Sequence, residues 1–467
     1  MNSERHWAKI GKHPHHGIAL PLSALHSKTS CGIGEFYDLL PLFPWLRSVG
    51  FDCLQLLPLN DSGDDPSPYN IVSSQALNPA YITLSALPNL DRWPDLHKEM
   101  EYLQELTKLP QVAYGEVRRR KLQWLASYFK CAVPPPAPIP PYAQFLSERD
   151  GHPPEFYAFV QQLCVQQLSH VKAEAERAGI LLIGDLPLLV NSHSVDRWEE
   201  PSLFLSGTSV GAPPDIYNTQ GQNWGLPAYN IRRLRETHFA WWKRRLTTIE
   251  RFFHIYRIDH VVGLFRLWLI PEGKLPKDGA FVPEDFQVEL KQGREFLEMM
   301  LHSTELLPIA EDLGVIPNEV DQALHEMQIC GMRILQFHLH QPETTPFHLV
   351  SLSTHDTPPF ALWWRDYPHE ATPFAKARGW GYQPQFNHHQ RLAVLREAHQ
   401  AKGIFHINLL QEYLALFPEL CHAHIEEERI NVPGQLLASN WTYRYIPSIE
   451  KLIAHKQLTE VLSLLII

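Results

Sequence analysis

Short apolar runs recur along the chain, and each one ends in polar residues or in Pro or Gly. The runs are GIALPL (17–22), FDCLQLLPL (51–59), ILLIGDLPL (180–188), HIYRIDHV (254–261), LLPIAEDLG (306–314), RILQFHLH (333–340), HLVSLSTHDT (348–357) and RINVPG (429–434). Amphipathic segments with helical spacing separate most of them, such as 36–50, 238–253 and 317–331. Alternation of strand and helix predicts a parallel sheet. Eight such units predict an α/β fold, the (β/α)8 or TIM barrel.

Two connections are too long to be simple crossovers between neighbouring strands. Residues 83–153 contain helical patterns and the segment VPPPAPIPPY (133–142). They predict a mostly helical insertion after the second strand, with the prolines as a stiff spacer. Residues 189–237 are rich in Gly, Pro and aromatic residues, and a loop of that length in a compact domain is usually functional. We therefore predict a single barrel over residues 1–467 with a helical subdomain at 83–153 and an active-site loop region at 189–237.

Composition and charge argue against several classes of function. The formal net charge is −10 and Lys and Arg form no dense run, so nucleic acids and anionic membranes are poor partners. No stretch approaches 18 uninterrupted apolar residues, and the start of the chain lacks the apolar region of a secretory signal. The six cysteines include no CxxC pair and are typical of reduced thiols. We expect a cytoplasmic protein without nucleic-acid or membrane partners.

The fourth apolar run carries charges where a buried strand would have none. Arg257 and Asp259 are two residues apart, so they point to the same face of the strand, and His260 follows at once. Holding two charges out of water costs several kcal/mol per ion unless they are paired. The pattern therefore indicates a strand that is kept for its chemistry.

Other strands also end in polar residues, and each of these has a structural alternative. Asp185 could cap a turn, Asp312 could begin a helix, and His355 could be a satisfied core histidine. A purely structural role is harder to argue for the polar residues taken together. Asp259, Glu311 and Asp356 follow three different strands, all at the end of the barrel where active sites lie.

Paired carboxylates at one mouth are typical of a retaining glycosidase. One acts as nucleophile and the other as acid/base, roughly 5 Å apart, around an oxocarbenium-like transition state. Like-charge repulsion and partial burial should raise the pKa of the acid, while Arg257 should keep the nucleophile ionised. A third carboxylate and a histidine could hold neighbouring sugar hydroxyls.

Three motifs carry a family resemblance: RIDH (257–260), AEDLG (310–314) and STHD (353–356) resemble the α-amylase superfamily. Further stretches narrow the resemblance to the 4-α-glucanotransferases, also called amylomaltases or disproportionating enzymes. They are SPYNIVSSQALNP (67–79), IGDLPLLV (183–190), GAPPDIYNTQGQNWGLPAYN (211–230), RIDHVVGL (257–264), PIAEDLGVIPNEV (308–320), GMRILQF (331–337) and NVPG…SNW (431–441). The resemblance extends from about residue 16 to about residue 447.

The resemblance implies a set of roles at the matching positions. Asp259 is the implied nucleophile, Glu311 the general acid/base and Asp356 the stabiliser of the transition state. The implied substrate-binding residues are Arg257, His355, Asp185, Tyr69, Trp224 and Asn440, with the ring of Tyr69 available to stack on a glucose face. The implied substrates are maltose and malto-oligosaccharides, with glycogen or starch as further candidates.

Four stretches depart from the family pattern, all in regions that would hold substrate. They are NDSGDDPSPY (60–69), PPDIY (213–217) with Ile216 and Tyr217 at its end, LQFHLHQ (335–341) with His338 and His340, and THDTPPF (354–360). The departures affect donor length and acceptor choice, whereas the catalytic set is intact.

Metals and nucleotide cofactors are not expected. The 26 histidines include HPHHG (13–17), but none has the spacing of a zinc site such as HExxH. Phosphate-binding glycine motifs are missing from the sequence, and the resemblance implies no metal.

Three functions remain open. A transferase should form glucose and longer maltodextrins together from maltotriose. A retaining α-1,4-glucan hydrolase would share the carboxylates and instead release reducing ends for each bond cleaved. A non-catalytic glucan-binding protein is disfavoured, because it has no need for three costly carboxylates in one place.

Overall fold

A computed structural model describes residues 2–132, 134, 138–214, 219–337 and 345–466. Ile216, Tyr217, His338 and His340 lie outside the described residues, so the predicted departures at these positions are not addressed by the structure. Most of the first half of the proline-rich segment also lies outside them.

Within the described residues, eight parallel strands form a barrel. Going round it, the strand order is β10-β11-β12-β1-β2-β3-β6-β9, and the strands are β1 His15–Leu20, β2 Cys53–Leu56, β3 Leu181–Leu186, β6 Ile255–Ile258, β9 Leu307–Ala310, β10 Gly331–Ile334, β11 His348–Ser351 and β12 Phe405–Leu409. A parallel bridge between Ile309 and Cys330 closes the ring, with the Ala310 N–H donating to the Cys330 carbonyl at 2.7 Å. The predicted (β/α)8 fold is confirmed.

The eighth strand is not where the sequence placed it. β12 is buried along its whole length and pairs with β1 on one side and β11 on the other. The predicted strand at 429–434 contains no strand, and Pro433 and Gly434 form a turn there. Because β12 and β2 already occupy both edges of β1, the closed barrel leaves no edge for a strand at 429–434.

The helices of the described part of the chain surround this barrel. They are α1 Glu4–Ile10, α2 Leu42–Ser48, α3 Pro94–Glu105, α4 Tyr114–Ala132, α5 Pro141–Asp150, α6 Pro154–Ala178, α7 Val195–Glu199, α8 Ile231–Glu236, α9 Ala240–Glu250, α10 Val262–Phe265, α11 Phe286–Ser303, α12 Asn318–Glu326, α13 Phe360–Asp366, α14 Pro368–Ala377, α15 His388–Gln400, α16 Leu410–Leu414, α17 Ile449–Ala454 and α18 Lys456–Leu465. Among the described helices, none combines the length and hydropathy needed to traverse a bilayer.

The helices α3, α4 and α5 lie between β2 and β3, in the region predicted as a helical insertion. Whether they form a separate subdomain stays a prediction. Near the C-terminus α17 and α18 are separate helices, and the His455 side chain accepts a hydrogen bond from the Leu458 N–H, which caps the start of α18.

A second sheet lies outside the barrel, and the sequence analysis did not predict it. Among the described residues its antiparallel strands are β4 Thr208–Ala212, β5 Gln222–Leu226, β7 Leu267–Pro271 and β8 Ala280–Val282, in the order β5-β4-β7-β8. β4 and β5 come from the long loop after β3, while β7 and β8 follow β6. The predicted loop region at 189–237 is therefore partly sheet, and it is joined to the connection that follows the RIDH motif.

Histidines cluster at the amino-terminal end of the barrel strands, opposite the carboxylates. The Nδ1 atoms of His16 and His399 lie 2.9 Å apart, so one must donate and the other accept. Burial and the neighbouring His406 lower the pKa of His16 to about 4, and burial lowers that of His399 well below its usual value. This pair is therefore neutral in the folded protein.

We predict that acid destabilises the protein through this histidine cluster. The unfolded chain takes up protons near pH 6.5 but folded His16 only near pH 4, so the free energy of unfolding should fall by about 2 kcal/mol between pH 7 and pH 4.5. Denaturant titrations of wild type and His16→Asn would measure it, and the variant should lose part of the pH dependence. His389→Asn, an exposed position on the same helix as His399, is the matched control. Equal pH dependence in all three proteins would contradict the prediction.

Candidate active site

The polar residues predicted to converge lie together at the carboxyl ends of the barrel strands. Asp185 is the penultimate residue of β3, Asp259 follows β6 directly, and Glu311 follows β9. His355 and Asp356 lie in the turn after β11. Because all these strands are parallel neighbours in one ring, their ends meet at the same mouth.

The Arg257 guanidinium lies at the centre of the site. Its Nη1 donates to both oxygens of Asp185 at 2.7 Å and to Asp259 Oδ1 at 3.2 Å, and its Nη2 donates to Glu311 Oε2 at 2.9 Å. The Asp185 side chain is fully buried and Arg257 nearly so, whereas 22% of the Asp259 side chain and 18% of the Glu311 side chain are exposed. The buried cation is thus paired, and the two carboxylates beside it remain open to a ligand.

Asp259 is held through both of its oxygens. Oδ1 accepts from Arg257, and Oδ2 accepts from the Leu188 N–H at 3.2 Å. The next residue, His260, has a positive φ of 46°, a conformation that is uncommon outside glycine and that often marks functional sites. This backbone turn also aims the His260 N–H at Glu311 Oε2, at 2.7 Å.

Glu311 differs from Asp259 in its protonation. Burial raises the pKa of Glu311 to about 8; Arg257 opposes the shift and the charge of Asp259 adds to it. Glu311 therefore carries a proton near neutral pH. A protonated carboxyl that shares a guanidinium with a second carboxylate can act as a general acid beside a nucleophile.

Asp356 is the most open of these carboxylates, with 45% of its side chain exposed. Its Oδ2 lies 3.3 Å from His355 Nε2, and its Oδ1 accepts from the Asn431 amide at 2.7 Å. Although burial opposes the shift, His355 and Asn431 lower the pKa of Asp356 to about 2. Although burial opposes this shift as well, the charge of Asp356 raises the pKa of His355. Asp356 therefore presents a fixed negative charge to the mouth of the site.

Aromatic side chains line one wall of the site. The Tyr69 hydroxyl donates to Asp185 Oδ2 at 2.7 Å, and its ring stacks on His355 with centroids 5.0 Å apart. Trp441 contacts both rings, with centroids 5.5 Å from Tyr69 and 5.7 Å from His355. One face of Tyr69 is therefore already covered by the protein, and only the remainder is available to a sugar.

Asn431 and Trp441 also belong to the site, although neither was among the predicted site residues. Both lie in the stretch NVPG…SNW, which as a whole resembles the family. The contact of Asn431 with Asp356 and that of Trp441 with Tyr69 place each of them in the site.

Trp224 and Asn440 occupy different surroundings. Trp224 lies on β5, and its ring meets the His260 ring edge to face at 5.2 Å, so the second sheet reaches the residue that follows Asp259. The Asn440 amide instead accepts from the Val432 N–H at 3.1 Å and donates to the Gln435 carbonyl at 2.7 Å, which shapes its own loop. Sugar contacts by Trp224 and Asn440 stay predictions.

Asp312 has a structural role. It accepts from the Met332 N–H at 2.6 Å and lies 3.2 Å from the Arg333 guanidinium, which ties the end of β9 to β10. The helix-cap alternative is wrong, because α12 begins at Asn318.

Possible metal ligands come together at the other end of the barrel. In the part of the chain that the structure describes, His13, His15 and Asp52 place their ligand atoms within 4.8 Å of one another. His15 Nδ1 and Asp52 Oδ2 are already 2.7 Å apart as a hydrogen-bonded pair.

Two sequence comparisons with known proteins cover most of the chain. Residues 20–149 and 141–448 match the family model described as 4-alpha-glucanotransferase. The 4-alpha-glucanotransferase of Chlamydia pneumoniae is 40% identical over 502 aligned residues, covering 97% of this chain and 95% of the relative.

Solved structures agree with the fold. The amylomaltase from Corynebacterium glutamicum superposes with a TM-score of 0.82 at 22% identity, covering 99% of this chain and 76% of that one. The amylomaltase from Streptococcus agalactiae in complex with acarbose gives a TM-score of 0.75 at 21% identity, covering 97% and 98%. With the family model matching most of the chain and a relative 40% identical over nearly all of it, this chain belongs to the 4-alpha-glucanotransferase family.

Proposed function

We propose that the protein transfers a segment of an α-1,4-glucan to the 4-hydroxyl of glucose or of a maltodextrin, through a covalent glucosyl-enzyme on Asp259. The observation that carries the proposal is the arrangement around one guanidinium. Arg257 contacts Asp259 and Glu311 through separate nitrogens, and Glu311 holds a proton near neutral pH. A nucleophile and an acid are thereby set side by side.

In the first displacement Asp259 attacks the anomeric carbon of the donor. The bond from that carbon to the bridging oxygen breaks, and the leaving oxygen takes the proton of Glu311. An ester between Asp259 and the sugar forms, and Glu311 is left as a carboxylate. Asp356, ionised and open to the mouth, faces the positive charge that develops on the sugar ring.

In the second displacement an acceptor sugar occupies the place of the released fragment. Glu311 removes the proton from its 4-hydroxyl, and that oxygen attacks the anomeric carbon while the ester to Asp259 breaks. Two inversions restore the α configuration, Asp259 returns to its carboxylate, and Glu311 regains its proton. Microscopic reversibility makes Glu311 the base in this step.

Transfer requires the acceptor to compete with water at the ester. The second sheet supports this, because β5 brings Trp224 against His260, next to Asp259. A cover over the site would exclude water while a sugar binds. Tyr69 and His355 would hold the sugar at the cleaved bond, while Asp185, buried behind them, would orient Arg257 and the Tyr69 hydroxyl. Trp224 and Asn440 would hold sugars further out.

The test is a product profile from purified protein and maltotriose, read by chromatography together with a reducing-end assay. We expect glucose and a ladder of longer oligosaccharides at constant reducing ends. Reducing ends that rise with each bond cleaved, without a ladder, would make the protein a hydrolase. No change, also with maltose plus glycogen, would overturn the proposed activity.

Donor class and location are further parts of the proposal. Maltose, malto-oligosaccharides and glycogen or starch are the proposed substrates, to be ranked by kcat/KM in the same assay. The cysteines 31, 53, 131, 164, 330 and 421 are all unpaired. Free thiols in every case support action in a reducing compartment, the cytoplasm.

A further inference from the structure

Arg245 is a buried cation without a carboxylate partner. It lies on α9 and is 0% exposed, and within the described residues no carboxylate comes within ion-pair distance of its guanidinium. The rings of Trp241 and Trp242 lie 5.6 and 5.3 Å from it. Cation–π contacts offset only part of the cost of removing a guanidinium from water, so the charge needs a further explanation.

The Arg245 guanidinium makes one hydrogen bond, and that bond leads to the active site. Nη2 donates to the Pro187 carbonyl at 2.6 Å, whereas Nε and Nη1 have no hydrogen-bond partner among the described residues. The Pro187 carbonyl and the Leu188 N–H belong to the same peptide unit, which is trans. That N–H is the group that donates to Asp259 Oδ2 at 3.2 Å.

A trans peptide is planar, and its C=O and N–H point in opposite directions. The Pro187–Leu188 peptide therefore lies between a cation at its oxygen and the nucleophile at its nitrogen. A charged donor on the carbonyl polarises the peptide and strengthens its N–H as a donor, most of all where water is excluded. The positive charge of Arg245 thus stabilises the Asp259 carboxylate through this peptide, although the two side chains do not touch.

The neighbouring bonds fix the same segment of backbone. The Tyr229 hydroxyl donates to the Leu188 carbonyl at 2.6 Å, and the Asp259 N–H donates to the Leu186 carbonyl at 3.2 Å. The peptide that carries the Leu188 N–H is therefore held from several sides, as a preorganised donor must be.

We propose that Arg245 is a positioning residue for the nucleophile, acting on Asp259 through the Pro187–Leu188 peptide. The inference rests on the proposed role of Asp259 and deepens it. Arg257 orients one oxygen of Asp259 directly, and Arg245 orients the other through the backbone. Both hold the carboxylate in one orientation between turnovers.

Other charged groups also act on these two side chains. The charged and titratable groups that act on Asp259 are Arg257 on β6, Asp185 on β3, Glu311 after β9, the adjacent His260 and the Tyr69 hydroxyl. The groups that act on Arg245 are Tyr229, Asp196, whose Oδ1 accepts from the Trp241 indole N–H, and, through space, Asp259 and Asp185. A substitution of Arg245 itself leaves all of these in place.

Arg245→Met removes the charge and keeps most of the volume. We expect the acid limb of kcat/KM against pH, measured with maltotriose, to move up by about one unit, and kcat/KM at neutral pH to fall about 10- to 100-fold. Arg244→Met, next to it on the exposed side of α9 and paired with Glu200, is the matched control and should stay within about twofold of wild type. Tyr229→Phe should lower kcat without moving the acid limb, since it removes a hydrogen bond and no charge.

A folded Arg245→Met protein with the wild-type acid limb and rate would overturn the inference. If that variant does not fold, Arg245→Lys and Arg245→Gln decide the matter, because only Lys keeps the charge. We expect the acid limb to move in Arg245→Gln and to stay in place in Arg245→Lys. Identical pH profiles of kcat/KM for the two variants would reject the inference. If Asp259→Asn is inactive and Arg245→Met is unaffected, this inference is rejected and the proposed function stands. If Asp259→Asn is active, the proposed function itself is rejected.

Discussion

Asp259→Asn should lower kcat for maltotriose disproportionation by about 10⁴-fold or more, the scale seen when a covalent nucleophile is removed. The amide has nearly the same shape and cannot form the sugar ester. Folding should survive, because Arg257 keeps Asp185 and Glu311 as partners. Initial rates of glucose release measure the effect.

Asp366→Asn, an exposed carboxylate at the end of α13, is the control for loss of a negative charge and should keep the wild-type rate. Asn can deamidate back to Asp, so mass spectrometry of the variant and a parallel Asp259→Ala protein are part of the measurement. More than about 1% of the wild-type rate in both Asp259 variants would reject the nucleophile assignment.

Glu311→Gln should lower kcat by about 10²- to 10⁴-fold with maltotriose, because the leaving oxygen then receives no proton. The loss in the first displacement should be much smaller with a maltosyl fluoride donor, since fluoride leaves without protonation. Asp259→Asn should stay inactive with either donor. If the fluoride donor restored activity to Asp259→Asn and not to Glu311→Gln, the roles of nucleophile and acid/base would have to be exchanged between the two residues.

The pH profile gives a second view of Glu311. The free enzyme needs its protonated form, and its pKa is about 8, so wild-type kcat/KM should fall as the pH rises above about 8. Glu311→Gln has no such proton to lose and should lack this basic limb. A basic limb that persists unchanged in the variant would assign it to another group.

Much of the barrel and the central carboxylates could be predicted from the sequence for a physical reason. Charged residues such as Arg257 and Asp259 inside an apolar strand are costly, so they stand out against the pattern of buried residues. Parallel strands bring their ends to one rim, which makes the convergence of Asp259 and Glu311 follow from the fold alone.

The errors have physical causes too. β12, FHINL, has the alternation of a strand, with His406 and Asn408 between apolar residues, but it continues directly into α16 and lacks the polar or Pro/Gly ending that marks the other runs. The small sheet has strands such as TSVGA and QNWGL, whose Gly and polar residues give no alternation. β4 and β5 pair with each other, but the second partner of β4 is β7, which lies in the connection after another barrel strand, and local sequence does not record such long-range pairing.

Contacts made by loops were also beyond prediction. Asn431 and Asn440 lie in one short loop, and only the folded structure shows which amide reaches Asp356 and which holds the loop backbone. The same is true of Trp441, whose positive φ of 64° turns it toward Tyr69 and His355.

The pairing of Arg257 with Asp185 affects which substitutions can accumulate during evolution. Removing one member of a buried ion pair leaves an uncompensated charge and costs about 3–5 kcal/mol, a large part of the stability of a typical protein. Asp356, half exposed at the rim, carries no comparable penalty. A lineage that gave up catalysis but still had to fold would therefore keep Arg257 and Asp185 for many generations while Asp356 drifted. Retention of the buried pair alone is thus no evidence of selection for the reaction, whereas retention of Asp356 is.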